Sequence, residues 1–219
     1  VTVTRRDKTV LAKERFDVNV TFPEGKDIVR QTETVPRIVI PHANTMAVVT
    51  DGNFDSYWQA RPKNLITNIR RYRRRAEETA GPLSVKTITD PDEIAAALIS
   101  YGQLESAGWK GNQGTAIAPD NVQGKFYADL LGRFAASGQA RVIELHAGER
   151  LIASRLLICD KRMWIILKTT YDESQSAYAP GRLLLHAVLE RAFAEMPGGA
   201  VEFYTNVTQD QAAWATALA

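Results

Sequence analysis

The sequence is short of the residues that most often announce redox, metal or membrane chemistry. Its 219 residues hold one cysteine, Cys159, and three histidines, His42, His146 and His186. A lone thiol excludes an internal disulfide and suits a reducing compartment, so the expected location is the cytoplasm. No two histidines stand at metal-ligand spacing, so no metal is expected. Neither a Ser-His-Asp nor a Cys-His nucleophile can be argued from the pattern. An excess of one charge is lacking as well: 27 Lys and Arg against 25 Asp and Glu leave +2, and no global field marks DNA as the partner. The apolar run Leu151 to Cys159 is too short to span a bilayer and is interrupted by Arg155. No signal-peptide pattern opens the chain. It starts without Met and stops just after an apparent helix begins, as a piece of something longer would.

What is present describes a globular fold. An apolar fraction of 45% suffices for a core, and the length fits one large domain or one domain with an appendage. Residues 1–50 read as strands and turns. Phe16, Val18, Val20 and Phe22 alternate with polar residues, Pro23 to Gly25 form a turn, and Arg37 to Ile40 and Thr45 to Thr50 read as two further strands. Asp51 to Asn53 then cap a helix from Phe54 to about Ala80, with a restart at Pro62. Trp58, Leu65, Ile66, Ile69, Tyr72 and Ala76 fall near one side of it. The other side carries Arg61, Lys63, Arg70, Arg71, Arg73, Arg74 and Arg75. Gly81-Pro82 ends the helix.

From residue 83 the order is strand, helix, helix, three strands, helix, strand, helix. Leu83 to Thr89 is a strand. Asp90-Pro91-Asp92-Glu93 starts a helix, with proline in the first turn and acids at the positive end of the dipole. A glycine-rich loop runs from Gly108 to Pro119, and Asp120 or Asn121 caps the next helix, which ends at Gly138. Ala140 to Ala147, Leu151 to Cys159 and Arg162 to Thr170 are strands joined by tight turns at Gly148-Glu149 and Asp160-Lys161. Gly181 to Met196 is a helix, Ala200 to Thr205 a strand, and a helix runs from Gln209 onward. The expected class is α/β (α+β): a mixed, twisted sheet flanked by helices. Residues 1–80 are expected to form an N-terminal strand-and-helix extension packed on a core of residues 81–219.

Particular segments add a resemblance to this order. Tyr57-Trp58-Gln59-Ala60-Arg61-Pro62-Lys63-Asn64-Leu65, Leu104 to Gly111 with Gly114-Thr115-Ala116-Ile117, Phe126-Tyr127, Gly148 with Ile152-Ala153, Lys168 with Tyr171-Asp172-Glu173, and Tyr178-Ala179-Pro180-Gly181 together resemble the GNAT-like proteins of the CelD group, linked to cellulose biosynthesis. That group is similar to the Fem-type aminoacyltransferases of peptidoglycan synthesis. The resemblance covers roughly residues 54–214. It implies a GNAT-type fold and an N-acyltransferase with acetyl-CoA or another acyl-CoA as co-substrate. The acceptor it implies is an amine or hydroxyl of a sugar or cell-envelope polysaccharide precursor. Two alternatives stay open: a Fem-type transferase drawing on aminoacyl-tRNA, and a non-catalytic GNAT-like binding module. Tyr178-Ala179-Pro180-Gly181-Arg182-Leu183 departs from the usual GNAT phosphate loop, keeping only its middle glycine. The family's closing strands are expected to lie beyond Ala219.

The residues carry their own chemistry. Pro180-Gly181 opening an apolar helix offers unpaired N–H groups and the positive end of a dipole to a pyrophosphate, with Arg182 as an added charge and Tyr178 and Leu183 flanking. A plain Pro-Gly turn before a core helix is the bland alternative. Lys168, at the end of the apolar strand Trp164 to Leu167, is placed by the resemblance beside the acyl group, where its ammonium suits an oxyanion or an anionic substrate. It can equally snorkel to water. Tyr171 suits a general acid and Asp172 a general base, or Asp172 caps the next turn. Trp109-Lys110 reads as a substrate-side wall or as a loop anchor. Arg70 and Arg74, within the arginine run, suit phosphates of a nucleotide-linked sugar, tRNA in the Fem-type alternative, or merely solvent.

Overall fold

A computed structural model of the chain describes residues 14–17, 32–35, 45–205 and 208–218. The chain divides into two compact units, residues 1–42 and 43–219. In the first, β1 (Glu14–Asp17) pairs antiparallel with β2 (Thr32–Val35), Glu14 opposite Val35. The expected strands through Val18 to Phe22 and Arg37 to Ile40 lie outside the described residues.

The second unit is built on a seven-stranded sheet. Its members are β3 (Met46–Val49), β4 (Leu83–Ile88), β5 (Ala140–Ala147), β6 (Arg150–Cys159), β7 (Met163–Tyr171), β8 (Ala200–Glu202) and β9 (Ala217–Leu218), in the spatial order 4-5-6-7-8-3-9. Every pairing is antiparallel except β7 with β8. The expected mixed sheet is present, and it does not stop at β8. Strand β3, from far earlier in the chain, pairs with β8 on one side and β9 on the other. Fully buried Thr50 fastens it, donating its hydroxyl to the Met196 carbonyl and accepting the Gly199 N–H at 3.0 Å. Residues 43–80 thus belong to the same unit as the rest of the sheet.

The helices cover both faces. Helix α1 (Phe54–Gln59) is capped by Asn53, which accepts the Ser56 N–H. Pro62 interrupts the run, and α2 (Lys63–Ala80) follows, burying Leu65, Ile69 and Ala76 while its arginines stay in water. Gly81 ends α2 at φ 100, a conformation that glycine alone adopts without strain. Helix α3 (Pro91–Ser106) starts at Asp90, which accepts the Asp92 N–H. The glycine-rich loop contains a single short helix, α4 (Trp109–Asn112), before α5 (Val122–Ala136), capped by Asn121. Between β7 and α6 (Pro180–Glu195) lies a 3-10 turn, Glu173–Tyr178. The helix expected from Gln209 onward lasts one turn, α7 (Gln209–Ala212), because a Thr208–Gln211 capping box starts it and the chain then extends to reach the sheet edge as β9.

Two cores sit on opposite faces of the sheet. Ile143, Ala153, Leu157 and Ile166 face α6, whose Leu184, Val188 and Leu189 are fully buried against them. Val142 and Leu156 face the other way, onto Ile94, Leu98 and Tyr101 of α3 and Leu131 of α5. Each such buried aliphatic side chain contributes about 1.5–3 kcal/mol relative to exposure. This alternation decides on which face any polar residue of β6 or β7 appears.

Candidate active site

The sheet opens between β7 and β8. Their parallel pairing lasts only from Met163 to Ile165, opposite Ala200 to Glu202. On the other side of β7 the register slips, with Leu156 opposite Lys168 but Leu157 opposite Ile166, so Leu167 is a bulge residue. A bulge bends and twists its strand, and β7 continues to Tyr171 with no partner on the β8 side. Beyond β8, Tyr204 takes φ 44 and turns the chain aside. The result is a cavity of about 570 Å³ that reaches both faces, lined by Arg155, Gly181, Arg182 and Leu185 on the α6 side and by Lys110, Leu167 and Lys168 toward α3–α5.

On the α6 face the first turn of α6 has little free backbone. Pro180 has no N–H, and the N–H groups of Arg182 and Leu183 both bond to the Ala179 carbonyl, at 2.9 and 3.2 Å. Among the described residues the Gly181 N–H has no acceptor. Ala179 holds φ 46, a left-handed conformation that swings the chain from the 3-10 turn into the helix. Beneath it lies Arg155, 8% exposed, reaching up from β6 to donate from Nη2 to the Gly181 carbonyl at 3.1 Å. Its Nε is buried without a partner, and among the described residues no carboxylate lies within ion-pair distance of it. Burial pulls its pKa down to about 10. A guanidinium with an unused donor, placed at the positive end of a helix, is an unfavourable arrangement that an anion would relieve. Arg182 is ion-paired with Asp210 of α7 at 2.6 Å.

On the opposite face a buried carboxylate organises the wall. Glu105, 2% exposed at the end of α3, accepts the Lys110 ammonium at 2.5 Å and the Tyr101 hydroxyl at 3.3 Å on Oε1. Its Oε2 accepts the Ile117 N–H at 2.8 Å and lies 3.5 Å from Lys168 Nζ. Burial raises the Glu105 pKa, but the Lys110 and Ile117 hydrogen bonds and the charges of Lys110 and Lys168 outweigh it, and the net shift is downward. Lys168 also donates to Gln123 Oε1 at 3.0 Å and sits 5.3 Å from the Tyr127 ring centre. Burial lowers its pKa, and the Glu105 carboxylate restores only part of the loss against the added repulsion of Lys110.

Other residues singled out in the sequence fall at varying distances from this cavity. Tyr171 lines it, 40% exposed, with its ring 3.4 Å from where a Cβ on Gly181 would stand. Asp172 is occupied elsewhere: it caps the 3-10 turn, accepting from the Ser174 N–H at 3.0 Å, and pairs with Arg150 at 2.5 Å. Pro180 and Leu183 are buried and Tyr178 packs against the α6-side core, while Gly181 and Arg182 line the cavity. Trp109 is 51% exposed, its backbone N–H given to Glu173 at 2.9 Å, and its neighbour Lys110 enters the wall. Arg70 and Arg74 are exposed on α2, the latter 3.8 Å from Glu78. Sequence reasoning missed Glu105 and Arg155. Both carried a signal: Glu105 continues the buried stripe Ile94, Leu98, Tyr101 at helical spacing, and Arg155 is the one charge inside an otherwise apolar strand.

With this geometry in hand, the sequence profile of the acetyltransferase (GNAT) domain matches residues 63–211. The chain belongs to the GNAT acetyltransferase family. Solved structures similar to the chain are found as well. FemX superposes with a TM-score of 0.59 at 9% identity, over 76% of this chain and 54% of its own. A conserved protein of unknown function from Bacteroides thetaiotaomicron VPI-5482 gives 0.53 at 13% identity, over 80% and 57%. The C-terminal domain of a putative lysylphosphatidylglycerol synthetase from Agrobacterium fabrum gives 0.48 at 12%, over 74% and 46%. The chain thus spans about half the length of these structures. No curated protein sequence matches the chain. Among the described residues, no helix is long and apolar enough to cross a membrane.

Proposed function

We propose that this GNAT domain transfers an acyl group from acyl-CoA to an amine or hydroxyl of a sugar or cell-envelope polysaccharide precursor in the cytoplasm. The observation that carries the reading is the gap between β7 and β8, which joins a cationic helix start on one face of the sheet to a lysine-lined wall on the other. The residues at the helix start fit the diphosphate of CoA: among the described residues Gly181 N–H and Arg155 Nε have no partner, and Gly181 has no side chain. Acyl-CoA supplies a thioester. An attacking amine forms a C–N bond as the C–S bond breaks, and the amine's proton goes finally to the leaving thiolate. Tyr171, which lines the cavity beside Gly181, would give that proton, while Asp172 caps the 3-10 turn. Calorimetry with CoA and acetyl-CoA tests the donor. Saturable binding with a Kd in the micromolar range is expected, and no heat at millimolar CoA would end this reading.

A second reading has its own observation. Helix α2 exposes Arg70, Arg71, Arg73, Arg74 and Arg75, a surface suited to RNA phosphates, and the fold is shared with FemX. An aminoacyl-tRNA donor predicts tRNA binding that weakens steeply with salt. Binding of tRNA without any binding of CoA would favour it.

A further inference from the structure

The wall toward α3–α5 carries more positive charge than its carboxylate balances. Lys110 and Lys168 both reach Glu105, which brings one negative charge to two ammonium groups. Their order in depth matters. The Glu105 side chain is 1% exposed, and those of Lys168 and Lys110 are 15% and 25% exposed. The carboxylate therefore lies behind the lysines, and the lysines line the cavity. Glu105 has no lone pair to spare for solvent, because Tyr101 and the Ile117 N–H take the rest. It fixes two cations side by side and, among the described residues, leaves one charge uncompensated at the surface of the cavity. Ordinary buried ion pairs close their own balance; this one is built one anion short.

We infer that the acceptor bears a carboxylate that docks between Lys110 and Lys168, with Glu105 as the buried group that holds the two lysines in place. The inference rests on the acyl-transfer reading above. A monoanion matches a surplus of one positive charge. A planar carboxylate presents two oxygens to two separate ammonium donors, each a charge-assisted hydrogen bond. The donor's phosphates do not compete for this place, because Arg155 and Gly181 lie on the opposite face of the sheet. Tyr127 and Trp109, whose rings stand 5.3 and 5.8 Å from the Lys168 and Lys110 ammoniums, give the apolar body of such an acceptor a surface to lie on. The substrate class is therefore an amine or hydroxyl compound that also carries a free carboxylate, such as an amino acid, a peptide terminus or an acidic sugar.

The test compares amines with and without that group, each rate divided by the fraction of unprotonated amine at the assay pH. Glycine with glycinamide and muramic acid with its carboxamide are offered with acetyl-CoA, and thiol release is followed. The carboxylate member should have the higher kcat/KM by roughly tenfold to a hundredfold, the scale of a charge-assisted hydrogen bond. Lys168→Met and Lys110→Met, each leaving Glu105 one lysine, should flatten that ratio without changing CoA affinity by calorimetry, and Lys168→Arg should restore part of it. Equal or better use of the amides overturns the inference. If no member of the panel is acylated, N-acetylglycine and N-acetylglycinamide are titrated instead, with and without CoA, against the fluorescence of exposed Trp109. A saturating response to the carboxylate alone, lost in Lys168→Met, supports the site. No response, or the same response to both, overturns it. Failure of CoA to bind would remove the acyl-CoA reading while leaving this titration readable.

Discussion

Replacing Glu105 by Gln removes one negative charge from a wall that already has too few, and its cost can be worked from the contacts. The carboxylate accepts from Lys110, Tyr101 and the Ile117 N–H and lies 3.5 Å from Lys168. Glutamine keeps one carbonyl oxygen for these donors and turns an NH2 toward an ammonium. Breaking a buried pair by removing one partner costs about 3–5 kcal/mol. Both lysines keep some contact with water, so the lower end applies, about 3 kcal/mol after screening. For a domain of this size that lowers Tm by roughly 6–12 °C at pH 7. The pH dependence follows from the sign of the shift. The Glu105 pKa is lowered on folding, so its stabilisation is present above the ordinary glutamate range, about pH 4.3, and is lost as pH falls through the lower folded value. The variant never has this contribution. The gap in Tm between wild type and Glu105→Gln, read by calorimetric scans from pH 8 to pH 3, should therefore close at the acid end. Other depressed carboxylates, such as Glu195, titrate in both proteins and cancel in the difference. Equal melting temperatures at pH 7, or a gap that stays constant to pH 3, would refute the claim that Glu105 is a charged anchor for the lysines.

Three further expectations can be checked with the same preparations. Arg155→Met removes a buried cation with an unsatisfied donor, so Tm should hold or rise while CoA affinity by calorimetry falls roughly tenfold or more. Gly181→Asp places a carboxylate beside Tyr171 at the helix start; CoA binding should disappear with circular dichroism unchanged, and retained affinity would move the phosphates elsewhere. Replacing Arg70, Arg71 and Arg74 together by Gln should shift stability by no more than about 0.5 kcal/mol in urea, and it should weaken tRNA binding only if the second reading holds.

The order of elements from Leu83 to Glu202 was legible because each carries a local signal: alternation in the strands, Asp90 and Asn121 as caps, Gly81 and Gly148 at breaks. What escaped was long-range. Nothing near Met46 to Val49 says that this strand will sit between β8 and β9, since the pairing joins residues about 150 positions apart in sequence. The 3-10 turn Glu173–Tyr178 was hidden because Asp172 promised a cap without saying what it would cap. The short life of α7 was hidden too, since Thr208 and Gln211 mark where a helix starts and not where it stops.

The site divides in the same way. Gly181, Arg182, Tyr171, Lys110 and Lys168 were chosen from the sequence, and all five line one cavity. The residues that give them meaning were not chosen, because a helical Glu and a strand Arg are ordinary until their burial is known. Once it is known, each becomes informative for an opposite reason. Glu105 is a buried anion shared by two cations, and Arg155 is a buried cation with no carboxylate at ion-pair distance among the described residues. Arg155 lines the opening from one face of the sheet, and Glu105 stands behind the lysines that line it from the other. A chain that needed only a stable core would do better with apolar residues at both positions. On the acyl-transfer proposal, the helix start and the lysine wall would each take one anionic group, from opposite faces of the sheet, where β7 and β8 part.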